Sequence, residues 1–306
     1  MNIKKLIDNI YSINPSSGPL FDSSKYLINT RGVEGLVLID PGLYIEFLKE
    51  IKEEGFSSKN INHCLITHGH IDHFGACYKL QELNQKIKFY AHELDANSIE
   101  LKNVEEMKAS YPGYDYTPIK LTKKIKIQNE ILTFGDYSFE CIHTPGHSPG
   151  AVAYLLEIDK SKILFAGDIA GLSLKIYGGD FNDYSDSMKR LEELEVNILC
   201  DGHSGPIKPA KKVSEYIKGY LKLNELIHLT IEEEVTDIKI WNELAFVLFE
   251  LKEYPLALDF CNYILEIDPN NNDMKQLLPK IKEFDFPKID FIKPLLKKIS
   301  SAKSKN

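Results

Sequence analysis

Four side chains that can ligate a metal lie close together in the segment THGHIDHFGA, residues 67–76. They are His68, His70, Asp72 and His73. A solvated loop has no need of them, and a packed core would have to supply a hydrogen-bond partner for each one. Imidazole nitrogens and carboxylate oxygens are common ligands of zinc in proteins. The segment therefore predicts a metal site, provided that the rest of the chain supplies further ligands.

Three later segments repeat this arrangement, in which a strand-like apolar run ends in a sharp polar turn with a histidine or an aspartate. They are CIHTPGHSPG with His147, ILFAGD with Asp168 and ILCDGHSGP with His203. Together with the first segment they give seven candidate ligands, all at predicted strand ends. Binding sites are usually built from such loops on a rigid scaffold, so we expect the seven side chains to converge.

The elements that must position these residues follow from the hydrophobic pattern. Short β-rich runs bounded by turn residues predict many strands before residue 210, among them KYLINTR, GLVLID, INHCLITH and KILFAGD. Helical spacing is found in YIEFLKEIKEEG, FGACYKLQELNQ and SDSMKRLEEL. Many short strands interleaved with a few helices predict two sheets flanked by helices.

The composition indicates a globular protein without a nucleic-acid or membrane partner. The chain has 306 residues, 43% of them hydrophobic, and a net charge of -8, which offers no footprint for a phosphate backbone. Its five cysteines are scattered without a CxxC pair, as is typical of reduced thiols in a cytoplasmic protein. No apolar run has the length of a membrane span, and the first residues lack the apolar stretch of a signal peptide.

The motif set resembles that of the metallo-β-lactamase superfamily over about residues 1–210. HGHIDH fits its HxHxDH motif, and TPGH, GD and GH follow in the usual order with His147, Asp168 and His203. Asp40 in LIDPG matches an early aspartate of this family, and we expect it to orient a ligand or a loop. The resemblance implies an α+β fold, an αββα sandwich with the metal site between its two sheets.

The resemblance also implies two zinc ions and a division of the ligands between them: His68, His70 and His147 for the first ion, Asp72, His73 and His203 for the second, and Asp168 shared by both. Asp72 and Asp168 would in addition take part in catalysis. Two ions about 3.5–4 Å apart can share a hydroxide that is nucleophilic at neutral pH. We therefore expect a metal-dependent hydrolase that cleaves a small-molecule ester, thioester or lactone.

The substrate stays open within that group. The TPGHSPG and FAGD contexts resemble the glyoxalase II and lactonase branches of the superfamily. The first branch usually has a basic glutathione-binding segment after its bridging aspartate, where this chain offers only Lys175. The lactonases have a tyrosine a few residues after that aspartate, where this chain has none before Tyr177.

The same residues allow three alternatives to the two-zinc hydrolase. Persulfide dioxygenases have a similar motif set but use one iron, which His68, His147 and Asp168 would hold here, so iron stays open as the metal. A scaffold with a vestigial metal site and a partner-binding helical tail is the non-enzyme alternative. GHSPG fits a G-x-S-x-G nucleophile elbow at Ser148, but that elbow needs a following helix, and AVAYLLEI predicts a strand.

Residues 211–285 are predicted to be all-helical, with one tetratricopeptide-like repeat over residues 238–271. The positions that match the 34-residue pattern of this repeat are Trp241, Leu244, Ala245, Leu248, Ala257, Cys261, Ile264 and Pro269. One repeat cannot bury both of its faces, so neighbouring helices must complete its packing. The extension is expected either to form a dimer or protein-docking surface or to cap the catalytic domain. The tail, residues 286–306, is predicted to be partly disordered.

Overall fold

The computed structural model describes residues 2–14, 22–101, 116–175, 178–233, 235 and 237–286. The chain divides into two compact units, Met1–Ile217 and Lys218–Asn306. This division falls within the helix Ala210–Ile227, and the domain boundary expected at residue 210 stays a prediction. Within the described ranges, every helix is too short or too polar to cross a membrane. The predicted tail lies outside the described residues, except for Phe286.

The first unit contains a sheet with seven described strands, whose spatial order is their order in the chain. They are β1 (Asn2–Ile7), β2 (Ile10–Asn14), β3 (Lys25–Asn29), β4 (Leu36–Ile39), β5 (Ile61–Leu65), β6 (Lys88–His92) and β7 (Lys123–Ile125). The pairs from β1 to β4 are antiparallel and those from β4 to β7 are parallel. Parallel neighbours need crossover connections, and these contain α1 (Leu48–Glu53), α2 (Ile71–Phe74), α3 (Cys77–Leu83) and α4 (Ala96–Glu100).

A second sheet of the same unit has the spatial order β13-β12-β11-β10-β9-β8. Its strands are β8 (Glu130–Phe134), β9 (Tyr137–His143), β10 (Val152–Ile158), β11 (Ser161–Gly167), β12 (Ile198–Asp201) and β13 (Gly205–Ile207). The parallel pair β11–β12 is connected through α5 (Phe181–Glu193), and α6 (Ala210–Ile227) follows β13.

The packing of β4 shows how the layers form. Leu36 and Leu38 belong to a core that the first sheet shares with helices α1 to α4. Val37 and Ile39, which alternate with them, belong to a second core between the two sheets. Because successive side chains of a strand point to opposite faces, a continuous apolar strand can serve both layers. The αββα sandwich predicted from the sequence is thereby confirmed, with several helices following it.

Two buried tyrosines connect the two sheets at the end where the candidate ligands lie. Tyr26 of the first sheet donates its hydroxyl to the backbone oxygen of Asp201, at 2.7 Å. Tyr154 of the second sheet donates to the backbone oxygen of Ile66, at 2.8 Å. Both acceptors directly precede loops that contain candidate ligands, so these bonds hold the loops of the two sheets in register.

The second unit contains α7 (Ile238–Glu250), α8 (Tyr254–Ile267) and α9 (Asn272–Ile281). Trp241 is buried and its ring stacks on that of Tyr263, with centroids 5.2 Å apart. All the helical positions of the predicted repeat are buried: Trp241, Leu244, Ala245, Leu248, Ala257, Cys261 and Ile264. This burial fits a helical hairpin, while its assignment to the tetratricopeptide class stays a prediction.

Candidate metal centre

The structure brings all seven candidate ligands together at the end of the two sheets. His68 and His70 follow β5, and the one-turn helix α2 presents Asp72 and His73. The other three follow strands of the second sheet: His147 after β9, Asp168 after β11 and His203 after β12. They form two groups in which the ligand atoms lie within 4.8 Å of one another.

The first group consists of His68, His70 and His147. The Nε2 atom of His147 lies 2.9 Å from the Nδ1 atom of His70, and the two rings are 81° apart in orientation. Burial lowers the pKa of all three imidazoles, that of His147 to about 4. They are therefore uncharged at neutral pH, and an uncharged imidazole has a nitrogen lone pair for a metal.

The second group consists of Asp72, His73, Asp168 and His203. The Nε2 atom of His203 lies 3.2 Å from an oxygen of Asp72 and 3.2 Å from one of Asp168. Burial alone would raise the pKa of Asp168, but His203 and His73 hold it well below its usual range. Burial likewise acts to lower the pKa of His73, yet Asp168, Asp40 and Asp72 raise it to about 10. The carboxylates of Asp72 and Asp168 thus hold protons on His73 and His203, and a bound cation would take the place of those protons.

Asp40 and Thr67 orient one histidine in each group, His73 and His68. The Oδ2 atom of Asp40 accepts hydrogen bonds from Nδ1 of His73, at 2.8 Å, and from the hydroxyl of Thr67, at 2.7 Å. Because that hydroxyl has only one proton, its oxygen is left to accept from Nδ1 of His68, at 3.1 Å. Each ring thus has its Nδ1 bonded behind the site and its Nε2 directed into it, the usual arrangement of ligating histidines.

Several of the atoms directed into the site make no hydrogen bond although they are buried. They are Nε2 of His68, Nε2 of His73 and Oδ1 of Asp168. The last two are 3.1 Å apart, but without hydrogen-bond geometry. A buried polar atom without a partner costs roughly 1–3 kcal/mol, and a cation among these atoms would give each of them one. The residues present therefore fit a divalent metal.

The two residues before His203, Asp201 and Gly202, determine the shape of the turn that contains it. The Oδ1 atom of the buried Asp201 accepts hydrogen bonds from the backbone amides of His203, at 3.0 Å, and Ser204, at 2.8 Å. Gly202 lies against the second group, and a Cβ atom there would overlap Oδ1 of Asp168 and lie 2.8 Å from Cε1 of His73. Glycine is required at this point because the backbone approaches the ligands so closely.

The site opens to solvent at His203, whose side chain is 37% exposed, compared with 9% for Asp168. A separate cavity of about 20 Å³ lies beside His68, His147 and Asp168, and Tyr184 and Met188 are among its other lining residues. This cavity has room for only about one water molecule.

Two residues from the same segments lie outside both groups. His143 stacks on His92, with ring centroids 4.1 Å apart and planes at 2°. Ser148 donates its hydroxyl to Asp95, at 2.7 Å, and strand β10 follows it where a nucleophile elbow requires a helix. The structure thus agrees with the exclusion of a serine nucleophile.

Thr67 is a supporting residue that the sequence pattern does not mark. Its role depends on hydrogen bonds with Asp40, which lies 27 residues earlier in the chain. A threonine before the motif has no pattern that would distinguish it from any other strand-end residue. Asp40 was expected to orient a ligand or a loop, and its contacts agree with that expectation.

Known proteins resemble the chain in the part that contains this site. It is 28% identical to a "Beta-lactamase-like protein 2 homolog" of Caenorhabditis elegans, over 79% of this chain and 78% of that protein. It is 32% identical to "Hydroxyacylglutathione hydrolase GloC" of Haemophilus influenzae, over 43% of this chain and 59% of that protein. The metallo-beta-lactamase GOB-18 of Elizabethkingia meningoseptica has the same fold, with a TM-score of 0.61 at 19% identity over 77% of this chain and 93% of that one.

The family profile described as "Metallo-beta-lactamase superfamily" matches residues 18–203. This range includes every candidate ligand and both sheets except β1, β2 and β13. The resemblance inferred from the motifs is therefore confirmed, and the glyoxalase II-like proteins are relatives at modest identity. The chain belongs to the metallo-beta-lactamase superfamily of metallo-hydrolases and contains a histidine and aspartate cluster fit for metal binding.

Proposed function

We propose that the protein is a hydrolase that uses two divalent metal ions to cleave an ester, thioester or lactone. The observation on which this depends is the position of Asp168 between the two groups of ligands. Its carboxylate lies 3.1 Å from Nε2 of His73, 3.2 Å from Nε2 of His203 and 3.5 Å from Nε2 of His147. A carboxylate within reach of both groups suits a bridge between two ions.

In this proposal the ligands divide as the sequence analysis expects: His68, His70 and His147 for one ion, Asp72, His73 and His203 for the other, and Asp168 for both. Two such ions, when bound, lower the pKa of water and act as Lewis acids on a substrate carbonyl. The chain itself supplies the charge balance, since Asp72 and Asp168 are held ionised by the histidines beside them. We assign catalytic as well as ligand roles to these two aspartates.

Zinc is the proposed metal and a thioester the first substrate class to test. A site made of imidazoles and carboxylates with an open side suits catalytic zinc. The thioester class is supported by the relative from Haemophilus influenzae, whose name describes hydrolysis of hydroxyacylglutathione. Lactones and simple esters stay within the proposal.

The persulfide dioxygenase alternative needs only His68, His147 and Asp168. The difference between the two is a second ion, which Asp72, His73 and His203 would hold together with Asp168. The scaffold alternative would not require Asp40 and Thr67 to orient the ligating histidines.

The test is metal analysis of protein purified without added metal or chelator, followed by hydrolysis assays. Close to two zinc ions per chain, with turnover on a thioester, ester or lactone panel, would support the proposal. One iron per chain, with oxygen uptake in the presence of a persulfide, would overturn it. Two bound ions without turnover on the whole panel would also count against a hydrolase of this class.

The remaining expectations stay predictions. They are a cytoplasmic location, the lack of a nucleic-acid or membrane partner, and a dimer or docking role for the helical extension. The five cysteines are all free and buried, which is compatible with a reducing compartment.

A further inference from the structure

Asp95 lies between the two loops that supply the first group of ligands. It ends a short 3-10 helix that directly follows β6, and it is 4% exposed. Its Oδ2 atom accepts hydrogen bonds from the backbone amide of Gly69, at 2.7 Å, and from the hydroxyl of Ser148, at 2.7 Å. Its Oδ1 atom accepts from the backbone amide of Gly150, at 2.7 Å. One buried carboxylate thus binds two loops from different sheets.

These bonds are made next to the ligands themselves. Gly69 separates His68 from His70, while Ser148 directly follows His147. His70 and His147 are 77 residues apart in the chain, so the backbone between them does not by itself keep their rings together. The carboxylate of Asp95 supplies this link, because it fixes the backbone on both sides of the first group.

The close approach of both loops shows that the arrangement is specific to an aspartate between glycines. A Cβ atom on Gly150 would lie 2.6 Å from Cγ of Asp95, and one on Gly69 would lie 3.1 Å from its Cβ. Three donors converge on two oxygens, which suits a carboxylate, since it only accepts hydrogen bonds. Hydrogen bonds to an ionised acceptor are stronger than those between neutral groups.

We propose that Asp95 is a positioning residue that holds His68, His70 and His147 in the geometry needed by one of the two ions. This inference rests on the metal site of the proposed function, but not on the substrate or the reaction. The effect should be limited to the first group, because among the described contacts the Asp95 side chain makes no hydrogen bond with Asp72, His73 or His203. Loss of Asp95 should therefore weaken one ion and spare the other.

Asp95→Asn is the variant that tests this with little change in shape. The amide nitrogen would replace one oxygen and would face the amide of Gly150 in one orientation and that of Gly69 in the other. Either way two donors oppose each other, and one of the two loops is released. Ser148→Ala is the milder companion, since it removes one of the three hydrogen bonds and keeps the carboxylate.

The experiment is a zinc titration of chelator-treated protein in competition with a zinc-binding dye. For Asp95→Asn we expect the affinity for one zinc equivalent to fall by about tenfold or more, with the other equivalent unchanged, as for other outer partners of metal ligands. Ser148→Ala should give a smaller loss in the same equivalent. In metal-free protein, the amides of Gly69 and Gly150 should exchange hydrogen faster in Asp95→Asn than in the wild type.

Two controls separate positioning from a general loss of stability. Ile163→Val removes a buried methyl group from the core between the sheets, away from both loops. Asp237→Asn alters a carboxylate that accepts a backbone hydrogen bond at the start of α7, at 2.9 Å. Both variants should bind two zinc ions with wild-type affinity.

The inference is overturned if Asp95→Asn binds both ions as the wild type does, or if it loses both together. It is also overturned if the wild type binds fewer than two ions. A wild type that binds two ions but hydrolyses none of the panel would contradict the proposed function alone, because the positioning of the first group is measured by metal binding.

Discussion

The carboxylate of Asp40 accepts a hydrogen bond of 2.8 Å from Nδ1 of His73, and this contact determines which nitrogen of His73 is directed into the metal centre. The same carboxylate accepts the backbone amide and the hydroxyl of Thr67, at 2.8 and 2.7 Å. Asp40 directly follows β4 and lies in the left-handed region, with φ of 49°, a conformation that aspartate tolerates better than most residues. The second group therefore depends on a residue beside the first sheet that is not itself one of the seven candidate ligands.

Asp40→Asn should weaken zinc binding at the second group by about ten- to a hundredfold, because its amide nitrogen would oppose either the backbone amide of Thr67 or the two donors that meet Oδ2. Zinc titration of chelator-treated protein measures the effect. Glu34→Gln is a matched control, since Glu34 also contacts a histidine, His63, at 2.8 Å but far from the ligands. Equal zinc affinity in Asp40→Asn and Glu34→Gln would contradict the role given to Asp40.

His147→Ala should reduce turnover by more than about a hundredfold, since loss of a ligand exceeds the usual cost of losing an outer partner. The fold should persist, because burial lowers the pKa of His147 to about 4 and its removal leaves no unpaired charge. Steady-state kinetics and circular dichroism together check both parts. His228→Ala, in the second unit, is the control, and full turnover in His147→Ala would remove that residue from the proposed site.

Gly202→Ala should abolish binding of the second ion while most of the sandwich stays folded. The added Cβ atom would overlap Oδ1 of Asp168 and press on the ring of His73, so the ligands would have to separate. Metal content after purification is the measurement. At Gly32 a Cβ atom would have its nearest neighbour, a backbone oxygen of Thr30, at 3.8 Å, so Gly32→Ala should keep its metal. If both variants keep two ions, the close approach of Gly202 to the ligands is not needed for metal binding.

His63 should make the metal-free protein less stable in mild acid. Its burial lowers the pKa below the ordinary value of 6.5, although the contact with Glu34 acts in the opposite direction. The unfolded chain therefore takes up this proton first as pH falls, so the free energy of unfolding decreases below about pH 6.5 and levels off below the folded pKa. His63→Gln lacks this contribution. Urea unfolding of both proteins from about pH 7.5 to 5 should show the wild type losing more stability, and parallel curves would count against it.

The convergence of the ligands could be predicted from the sequence because each one follows an apolar run. Strand ends at the same end of a sandwich lie close together, and the HGHIDH segment identifies which end contains the candidate site. The αββα order followed from the family resemblance and from the alternation of strands with helices. The seven candidate ligands do converge, in two adjoining groups, while their roles as metal ligands stay predictions.

The supporting contacts could not be predicted in this way. Asp95 bonds to Gly69, 26 residues earlier, and to Gly150, 55 residues later, and neither separation corresponds to a motif. The carboxylate oxygens of Asp95 also accept from backbone amides, and because almost every residue has a backbone amide, no residue type reveals the partner. Strand β1 has a weak sequence signal for a different reason, since its NIKKLI segment places two lysines among its apolar residues and lies at a sheet edge.

Trp241 is the one tryptophan in the chain, and it is buried against Tyr263 in the second unit. Its fluorescence therefore reports on the folding of the helical extension alone, whereas far-ultraviolet dichroism is dominated by the larger unit. A shift of the dichroism melting curve on adding zinc, without one in the tryptophan emission, would reveal two units that melt independently. Coincident shifts would reveal that the energy of metal binding is transmitted to helices that contain no ligand.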